Sequence, residues 1–525
     1  MPPARQSSEL HPPAAPLRPL PQWMLFPPIF VFVYLTHFTL LRLPYFWDES
    51  GYYIPAAFDF FRTGTLIPHS TLSNAHPPLP SVLLASWWRL SGFVPSGTRT
   101  AVCLVTAFAL LAVYRLARPL CGELGAAAVT LLTALYPIWF AQSTLAHADI
   151  FAAAFTLWGL TLYLEQLDSL RPEFAALLPI AGFFWLSVLS KETALGIPLL
   201  LVLLELIRAV RSRPRPGMIA ALLSPLLPLA AWYAYHRHVT GFTFGNPEYL
   251  RYNATANLSA QRIAYALFHR AIHLTAHMEL FVPILCALAC LFLPVLPQAR
   301  VLPRRILFTF AVLLTGNWIF FSVFGGALLT RYLLPVYPLI LLLCVATWMR
   351  HLRAWWPLAI LTASAFIVGL LINPPYHFAP EDNLAYRDMI VLQQQASSFI
   401  VQRWPQATVL TAWPMSDELR KPELGYVRKP MQVVAIDNFS LPQLQLAANE
   451  EERFDTALIF STKYDPPSLR GRNESMATQY FDFHRDLFPA QAATVLHGSI
   501  VWQAQRNGQW AAVIRLDRGA VAQLR

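Results

Sequence analysis

The chain has 525 residues, of which 56% are hydrophobic and only 13% are charged, with a formal net charge of +10. A water-soluble protein of this length needs more charge to cover its surface. The composition therefore excludes a water-soluble protein and indicates a polytopic membrane protein. Most of the positive charge lies in short loops, where it reports membrane orientation, and no nucleic-acid-reading motif accompanies it, so no nucleic-acid partner is expected.

The N-terminal residues 1–22 are rich in proline, which is typical of a disordered tail. The apolar run that follows lacks a small-residue cleavage site, so we interpret it as a retained anchor. A spanning helix needs roughly 20 mostly apolar residues. This criterion predicts eleven spans, near 24–43, 100–117, 124–140, 148–165, 174–189, 194–209, 218–236, 279–297, 306–324, 332–349 and 355–372.

A further apolar stretch, 79–93, is shorter and contains Pro80 and Arg89, so we predict a juxtamembrane or re-entrant helix there. If it spanned the membrane, every later loop would change sides. With eleven spans and a cytoplasmic N-terminus, the arginine-rich short loops face inward, as the positive-inside rule requires. The same count places the following loops on the outer face of an inner (plasma) membrane: 44–99, 141–147, 190–193, 237–278 and 325–331.

The last region, 373–525, differs in kind and is predicted to be exported. A helix-like stretch, 385–403, precedes runs typical of strands, and Asn507-Gly508 indicates a hairpin. These signals over about 150 residues favour a small α/β domain with a mixed sheet. The predicted fold class is thus mostly α, with a tail at 1–22, a transmembrane catalytic domain at 23–372 and an extracytoplasmic α/β domain at 373–525. The strand-like runs are 407–412, 433–436, 456–460, 499–503 and 510–516.

Two adjacent carboxylates, Asp48 and Glu49, stand just past the first apolar run. An acidic pair at a membrane face is costly to keep, so it indicates a functional site. The alternative is an interfacial cap in which Trp47, Tyr52 and Tyr53 form an aromatic belt.

The rest of this first outer loop and other predicted outer loops carry further polar residues that could bind or react with a substrate. They are His69, Asn74 and His76 in the first loop, His147 and Asp149 at a helix start, Lys191 and Glu192 between two spans, and Arg331 and Tyr332 at the start of another. Two acids and two to three cations are therefore expected to converge on one membrane face, from loops far apart in the sequence.

Such a set suits the chemistry of a phosphate. Arginine offers it a bidentate fork and lysine a compact charge, and an opposing carboxylate can deprotonate an incoming hydroxyl. If the phosphate belongs to a lipid-linked sugar, it is also the leaving group, and positive charge stabilises its departure without a separate general acid. The set therefore favours glycosyl transfer by single displacement with inversion, whereas a hydrolase more often needs two cooperating carboxylates.

Each of these residues also has a simpler interpretation. Asp149 can be a helix cap or dipole partner, Lys191 and Glu192 can neutralise each other, Arg331 can reach the lipid headgroups, and His76 before two prolines can be a turn residue.

A divalent metal site is a further alternative. It would use His69 and His147 with Asp48 and Asp149, although their spacing is irregular. The five cysteines lie within or beside apolar segments without zinc-like spacing, so neither a disulfide framework nor a structural metal is implied, and no cofactor is assigned.

The order of these motifs is similar to that of a known family. Asp48-Glu49, the His-Pro-Pro-Leu motif at 76–79, Asp149, Ser190-Lys191 and the Arg-Tyr-Leu-Leu-Pro motif at 331–335 follow one another along the chain. This pattern resembles the membrane glycosyltransferases of the GT-C fold, and within them the protein O-mannosyltransferases and the bacterial aminoarabinose transferases of lipid A. The resemblance covers about residues 24–372.

The resemblance implies a role for each matching position. Asp48 is expected to be the base for the acceptor hydroxyl, Glu49 to help hold the acceptor, and Asp149 to be a second acidic site. His76, Lys191, Arg331 and Tyr332 are expected at the donor phosphate, and Tyr52, Tyr53, His69 and His147 at the acceptor or sugar. One departure is Lys191-Glu192, where many relatives have Lys-Gly. The region 373–525 matches nothing in this pattern and is open to acceptor binding.

The predicted function is transfer of a sugar from a polyprenyl-phosphate-linked donor to a hydroxyl of a lipid, glycan or protein acceptor, at the outer face of the bilayer. Two other classes stay open. A lipid or solute transporter would place charges along a pathway near the membrane midplane. A non-catalytic assembly or receptor protein would use the exported domain and leave Asp48 and Arg331 without a shared cavity. Neither the sugar, the acceptor nor metal dependence follows from the sequence.

Overall fold

The computed structural model describes residues 21–211, 213–245, 259–324, 327–449, 453–466, 478–480 and 483–517. The predicted tail, 1–22, lies outside this range except for its last two residues. Up to residue 371 the described chain is helical. The helices are α1 (Phe26–Thr36), α2 (Ile54–Thr63), α3 (Leu79–Ser91), α4 (Pro95–Leu135), α5 (Pro137–Gln142), α6 (Ala148–Glu165), α7 (Phe174–Ser190), α8 (Gly196–Arg211), α9 (Pro216–Leu223), α10 (Leu226–Thr240), α11 (Ala260–Thr275), α12 (Phe281–Cys290), α13 (Arg304–Phe324), α14 (Tyr337–His351) and α15 (Trp356–Leu371).

Four helical segments of the described chain are long and apolar enough to cross a membrane, by length and composition alone. They are Pro95–Leu135, Glu192–Val210, Pro216–Thr240 and Arg304–Phe324. A fifth arises if Ala260–Glu279 and Phe281–Cys290, which meet at 92°, form one broken span. Three other predicted spans correspond to the shorter apolar helices Gln22–Thr36, Phe174–Ser190 and Trp356–Leu371. The chain is therefore a multi-pass membrane protein, and the count of eleven spans stays a prediction.

Two predicted spans, 100–117 and 124–140, share one helical element. α4 runs for 41 residues and has a break at Gly122, whose φ is 70°. Pro119 stands one turn before the break and has no N–H to donate to the preceding turn. Glycine adopts a positive φ without the Cβ clash that other residues suffer, so two helical segments meet at a kink there.

The first predicted outer loop contains two short helices, α2 and α3, and a π-helical turn at Glu49–Tyr53. α3 matches the stretch predicted to be juxtamembrane. Its 13 residues extend for about 20 Å at 1.5 Å per residue, which is less than the roughly 30 Å of a hydrocarbon core.

The described part of the C-terminal region folds around one mixed five-stranded sheet of order β2-β1-β3-β5-β4. β1 pairs in parallel with β2 and β3, whereas β5 is antiparallel to β3 and β4. The predicted mixed sheet, the helix at 385–403 and the Asn507-Gly508 hairpin are confirmed. The elements are α16 (Ala385–Arg403), β1 (Thr408–Ala412), α17 (Met415–Arg420), β2 (Gln432–Ile436), α18 (Leu441–Ala448), β3 (Thr456–Phe460), α19 (Pro489–Val495), β4 (Gly498–Arg506) and β5 (Gln509–Leu516).

The sheet domain packs directly on the helical part. A single cluster of buried apolar side chains includes Trp139 and Trp348 from the helices and Tyr386 and Val409 from the C-terminal region. The Tyr386 hydroxyl lies 3.0 Å from Thr144 Oγ1, so the contact includes a buried hydrogen bond. The two parts therefore form one continuous core, and a large cavity lies where they meet.

Candidate active site

The cavity has a volume of about 1140 Å³ and is lined from both parts of the chain. The helical part contributes the first predicted outer loop, Lys191 and residues around Arg331. The C-terminal region contributes residues that follow its parallel strands. A pocket for a drug-sized ligand usually has roughly 300–1,000 Å³, so this cavity can hold more than one small group.

Arg331 lies at the centre of the charged groups in this cavity and is almost fully buried. Its Nη2 donates to Asp48 Oδ2, its Nη1 donates to Glu381 Oε2 at 2.5 Å, and its Nε lies 3.3 Å from Asp149 Oδ2. Lys191 Nζ donates to the other Asp149 oxygen at 2.7 Å. Three carboxyl groups and two cations thus form one network, and Arg331 is a buried ion-pair partner, not a residue that extends to headgroups.

Glu381 was not predicted, although it belongs to this network. It follows the last apolar helix within the short turn Pro380–Asp382, and it lines the cavity. Burial, together with the nearby Asp48 carboxylate, raises its pKa to about 8 against the opposing effect of Arg331. Glu381-Asp382 is an acidic pair just past an apolar run, like Asp48-Glu49, so the same sequence signal was present.

Asp382 anchors this turn beside the cavity. Its Oδ2 lies 2.9 Å from His277 Nε2, and its Oδ1 accepts a hydrogen bond from the hydroxyl of Thr330, the residue before Arg331. Both acids of the pair therefore hold the segment that carries Arg331, one through the guanidinium and one through the preceding residue.

Glu49 does not line the cavity, in contrast to its neighbour Asp48. Its carboxylate is fully buried, lies 3.2 Å from Arg99 Nη2, and accepts hydrogen bonds from the backbone N–H groups of Ala146 and Phe46. Successive side chains on a helical turn point in different directions, so the two adjacent acids face different surroundings. The sequence predicted that Glu49 contacts an acceptor, whereas in the structure Glu49 forms a buried ion pair with Arg99.

Side chains of the C-terminal domain hold the chain segment on which Asp48 lies. Trp47 has a φ of 47°, in the left-handed region, and its ring lies 5.1 Å from that of Trp413 in an edge-on arrangement. A Cβ at Gly51 would come within 2.5 Å of the Trp413 ring, so only glycine allows this approach. Ser50 also donates to the buried Glu418 carboxylate at 2.9 Å.

His76 and Lys191 have partners other than those considered from the sequence. His76 Nδ1 lies 2.8 Å from Glu192 Oε2, so Glu192 contacts His76 while Lys191 contacts Asp149. Lys191 Nζ also lies 4.2 Å from the centre of the Tyr332 ring, a cation–π contact that fixes the ammonium at the cavity. The Glu192 that departs from the family pattern is therefore accommodated by His76.

Of the residues predicted to contact the acceptor or the sugar, some lie at the cavity and one lies away from it. Tyr52 and Tyr53 line the cavity, and the Tyr53 ring lies 5.8 Å from that of His147. Burial and the nearby charge of Arg331 hold the pKa of His147 well below its usual value, so its ring is neutral at physiological pH. His69, in contrast, is exposed and does not line the cavity; its backbone N–H donates to Asp59.

The metal alternative required His69 and His147 to share a site with Asp48 and Asp149. Within the residues that the structure describes, no group of three or more His, Cys, Asp or Glu side chains is arranged to hold a metal ion. The structure therefore gives this alternative no set of ligands.

The chain is similar to known membrane glycosyltransferases. Residues 75–234, under a third of the chain, match the family model of dolichyl-phosphate-mannose-protein mannosyltransferase. The crystal structure of ArnT from Cupriavidus metallidurans bound to undecaprenyl phosphate is similar with a TM-score of 0.54 and 16% identity, over 94% of this chain and 97% of that chain. The apo structure of ArnT has a TM-score of 0.56 and 14% identity over the same shares.

Two further comparisons do not strengthen the assignment of the fold. The oligosaccharyltransferase of Archaeoglobus fulgidus has a TM-score of 0.46 and 12% identity, over 94% of this chain and 73% of that chain, a likeness too weak to support an argument. A search of curated proteins gave no significant match. Together with the helical architecture and the small mixed sheet, the family match and the likeness to ArnT confirm the resemblance indicated by the sequence motifs: the chain has the fold of the GT-C membrane glycosyltransferases.

Proposed function

We propose that the protein transfers a sugar from a polyprenyl-phosphate-linked donor to an acceptor hydroxyl, with inversion, at the outer face of the membrane. The observation that carries this proposal is that Asp48, Lys191 and Arg331 share one cavity although they are far apart in the sequence. A non-catalytic assembly or receptor protein would not need these three residues in one cavity.

The donor phosphate would bind at Lys191 and Arg331. Both cations are buried and held by carboxylates, so they are charged and positioned before any ligand arrives. A phosphodiester that binds between them would replace Asp48 on Arg331, because both compete for the same edge of the guanidinium. Donor binding would therefore release Asp48 to act as a base.

The reaction is a single displacement. The acceptor oxygen attacks the anomeric carbon, and the bond from that carbon to the phosphate oxygen breaks, with its electron pair passing to the phosphate. Asp48 takes the proton of the acceptor hydroxyl. The phosphate gains a negative charge as it leaves, and the buried cations Lys191 and Arg331 stabilise that charge.

The comparisons support this proposal at the level of fold and ligand type. The matched family model describes mannosyl transfer from a dolichyl phosphate, and the similar ArnT structure contains undecaprenyl phosphate. Both are phosphates on long isoprenoid chains, which suits a charged cavity formed by a membrane protein.

The orientation is part of the proposal. With a cytoplasmic N-terminus and eleven spans, the cavity and the domain at 373–525 would face the outside of an inner (plasma) membrane. A phosphatase reporter that is active only outside, fused after residue 371, should be active. An inactive reporter there, with an active one in the loop around Arg300, would reverse the orientation.

The first test is sugar transfer by the purified protein, with a panel of radiolabelled polyprenyl-phosphate sugars and membrane extracts as acceptor. Asp48→Asn should lower turnover by roughly 10²–10⁴-fold, the contribution of a general base, and leave folding intact. The matched control is Asp168→Asn, which removes a carboxylate paired at 2.9 Å with Arg305 on the surface. Near-normal turnover by folded Asp48→Asn protein would refute the mechanism.

The second test measures donor affinity. Lys191→Ala and Arg331→Lys should weaken polyprenyl phosphate binding by roughly 10- to 100-fold, since each removes charge-assisted hydrogen bonds. Arg305→Ala, which removes an exposed cation, is the control. If both cavity variants bind the donor as tightly as the wild type does, the phosphate site lies elsewhere.

A further inference from the structure

The C-terminal domain faces the cavity with one particular edge of its sheet. β2, β1 and β3 are adjacent and parallel, so their carboxyl ends lie together. Trp413 follows β1, Asp437 and Asn438 follow β2, and Thr462 and Lys463 follow β3, and all five line the cavity. Open α/β sheets bind their ligands just outside the carboxyl ends of parallel strands. The edge best suited to hold a ligand is thus the edge that closes the catalytic cavity.

The side chains at this edge suit a ligand rich in hydroxyl groups. Asp437, Asn438 and Gln443 offer planar groups that accept or donate hydrogen bonds, and Gln443 Nε2 already orients Asp437 by a contact of 3.1 Å. The half-buried ring of Trp413 lies 5.1 Å from Trp47 and 5.9 Å from Tyr52. Together the three rings form an aromatic cluster at the cavity, and aromatic faces cover the apolar C–H face of a sugar ring.

The same edge is poorly suited to other acceptors. Among the residues that the structure describes, its aliphatic lining is limited to Ala435, Ile436 and Pro442, which is too little to hold a lipid chain. A peptide would add by main-chain hydrogen bonds along an edge strand such as β2, whereas the cavity is lined by the ends of the strands.

We propose that the carboxyl edge of β2-β1-β3, with Trp413 and Asp437 as its main contacts, binds a carbohydrate acceptor and directs its hydroxyl towards Asp48. This inference rests on the proposed function and names the acceptor class that the sequence left open. Asp48 and Trp413 line the same cavity, and Trp47, the residue before Asp48, contacts Trp413. An acceptor sugar on the aromatic cluster is thus held beside the base.

The test uses the full-length protein in detergent with a panel of methyl glycosides and disaccharides of hexoses, amino sugars and uronic acids. Saturation-transfer NMR should detect binding of at least one of them. Asp437→Ala should weaken that binding by roughly 10-fold or more, the effect of removing a hydrogen bond to a charged group. Gln443→Ala should weaken it in the same direction, because Asp437 loses its orienting partner.

The matched control is Asp417→Ala, which removes a carboxylate of the same domain that pairs with Lys421 at 3.5 Å and does not line the cavity. It should bind the glycosides as the wild type does. A thermal melt of each variant confirms folding. The inference would be overturned if no glycoside bound, or if a Ser/Thr peptide bound and the glycosides did not. It would also be overturned if folded Asp437→Ala and Gln443→Ala proteins bound the glycosides as tightly as the wild type does.

Binding of undecaprenyl monophosphate in the same samples separates this inference from the proposed function. If that lipid binds and Lys191→Ala weakens it while no glycoside binds, the acceptor inference fails and the donor site stands. If that lipid does not bind at all, the proposed function fails, and the inference that rests on it fails as well.

Discussion

Substitution of Glu381 by glutamine provides a pH-dependent test of the charged network. The Glu381 carboxyl is buried beside Arg331, and its pKa of about 8 reflects burial together with the nearby carboxylates of Asp48, Asp382 and Asp149. At neutral pH the group is mostly protonated, and it ionises as the pH rises through about 8. Glutamine is close in shape to the protonated acid and cannot ionise.

The sign of the effect on stability follows from proton binding. In the unfolded chain the carboxyl loses its proton near pH 4.5, whereas in the folded protein it keeps the proton up to about pH 8. The folded state therefore binds more protons in this window, and the wild type becomes less stable as the pH rises across it. At about 1.36 kcal/mol per pH unit, the ionisation of Glu381 costs the folded state at most about 5 kcal/mol.

Thermal unfolding in detergent at pH 5 and pH 9 measures this difference. Wild type and Glu381→Gln should melt at similar temperatures at pH 5, and the variant should melt several degrees higher at pH 9. Glu423→Gln, which changes an exposed carboxyl, should show no such pH-dependent gain. An equal difference between Glu381→Gln and the wild type at both pH values would refute the assigned environment.

Three further predictions concern the same region. Glu49→Ala should destabilise the protein by roughly 3–5 kcal/mol because it leaves Arg99 buried without its carboxylate; a melting temperature equal to that of the wild type would contradict this. Gly51→Ala should lower turnover without weakening donor binding, because its Cβ displaces the Trp413 ring and with it the Asp48 segment; normal turnover would contradict it. Donor affinity should fall above pH 8 in the wild type and stay level in Glu381→Gln, as ionised Glu381 repels the phosphate; parallel pH curves would contradict it.

The sheet domain was predicted well because its signals are local. Strand β3 and helix α16 begin and end at the predicted residues, and the Asn507-Gly508 turn joins β4 to β5 as expected. Strand periodicity and turn residues are properties of a few neighbouring positions. Their order across the sheet, which brings three carboxyl ends to the cavity, depends on long-range pairing and was not predicted.

The candidate site was predicted in part for the same reason. The sequence indicated that Asp48, Lys191 and Arg331 meet, because outer loops share one membrane face. It did not indicate which of two adjacent acids enters the cavity, since the direction of a side chain depends on the local turn and on a distant partner such as Arg99. Glu381 was missed because the polar region after the last span was treated as a separate domain.

The most direct test of the account is a structure of the full-length protein with undecaprenyl monophosphate bound. We expect phosphate oxygens within hydrogen-bond distance of Lys191 Nζ and of the Arg331 guanidinium, with Asp48 displaced from Arg331 and free in the cavity. A phosphate bound outside the cavity, with the Asp48–Arg331 and Lys191–Asp149 pairs unchanged, would contradict the proposed donor site and the role of Asp48 as the base.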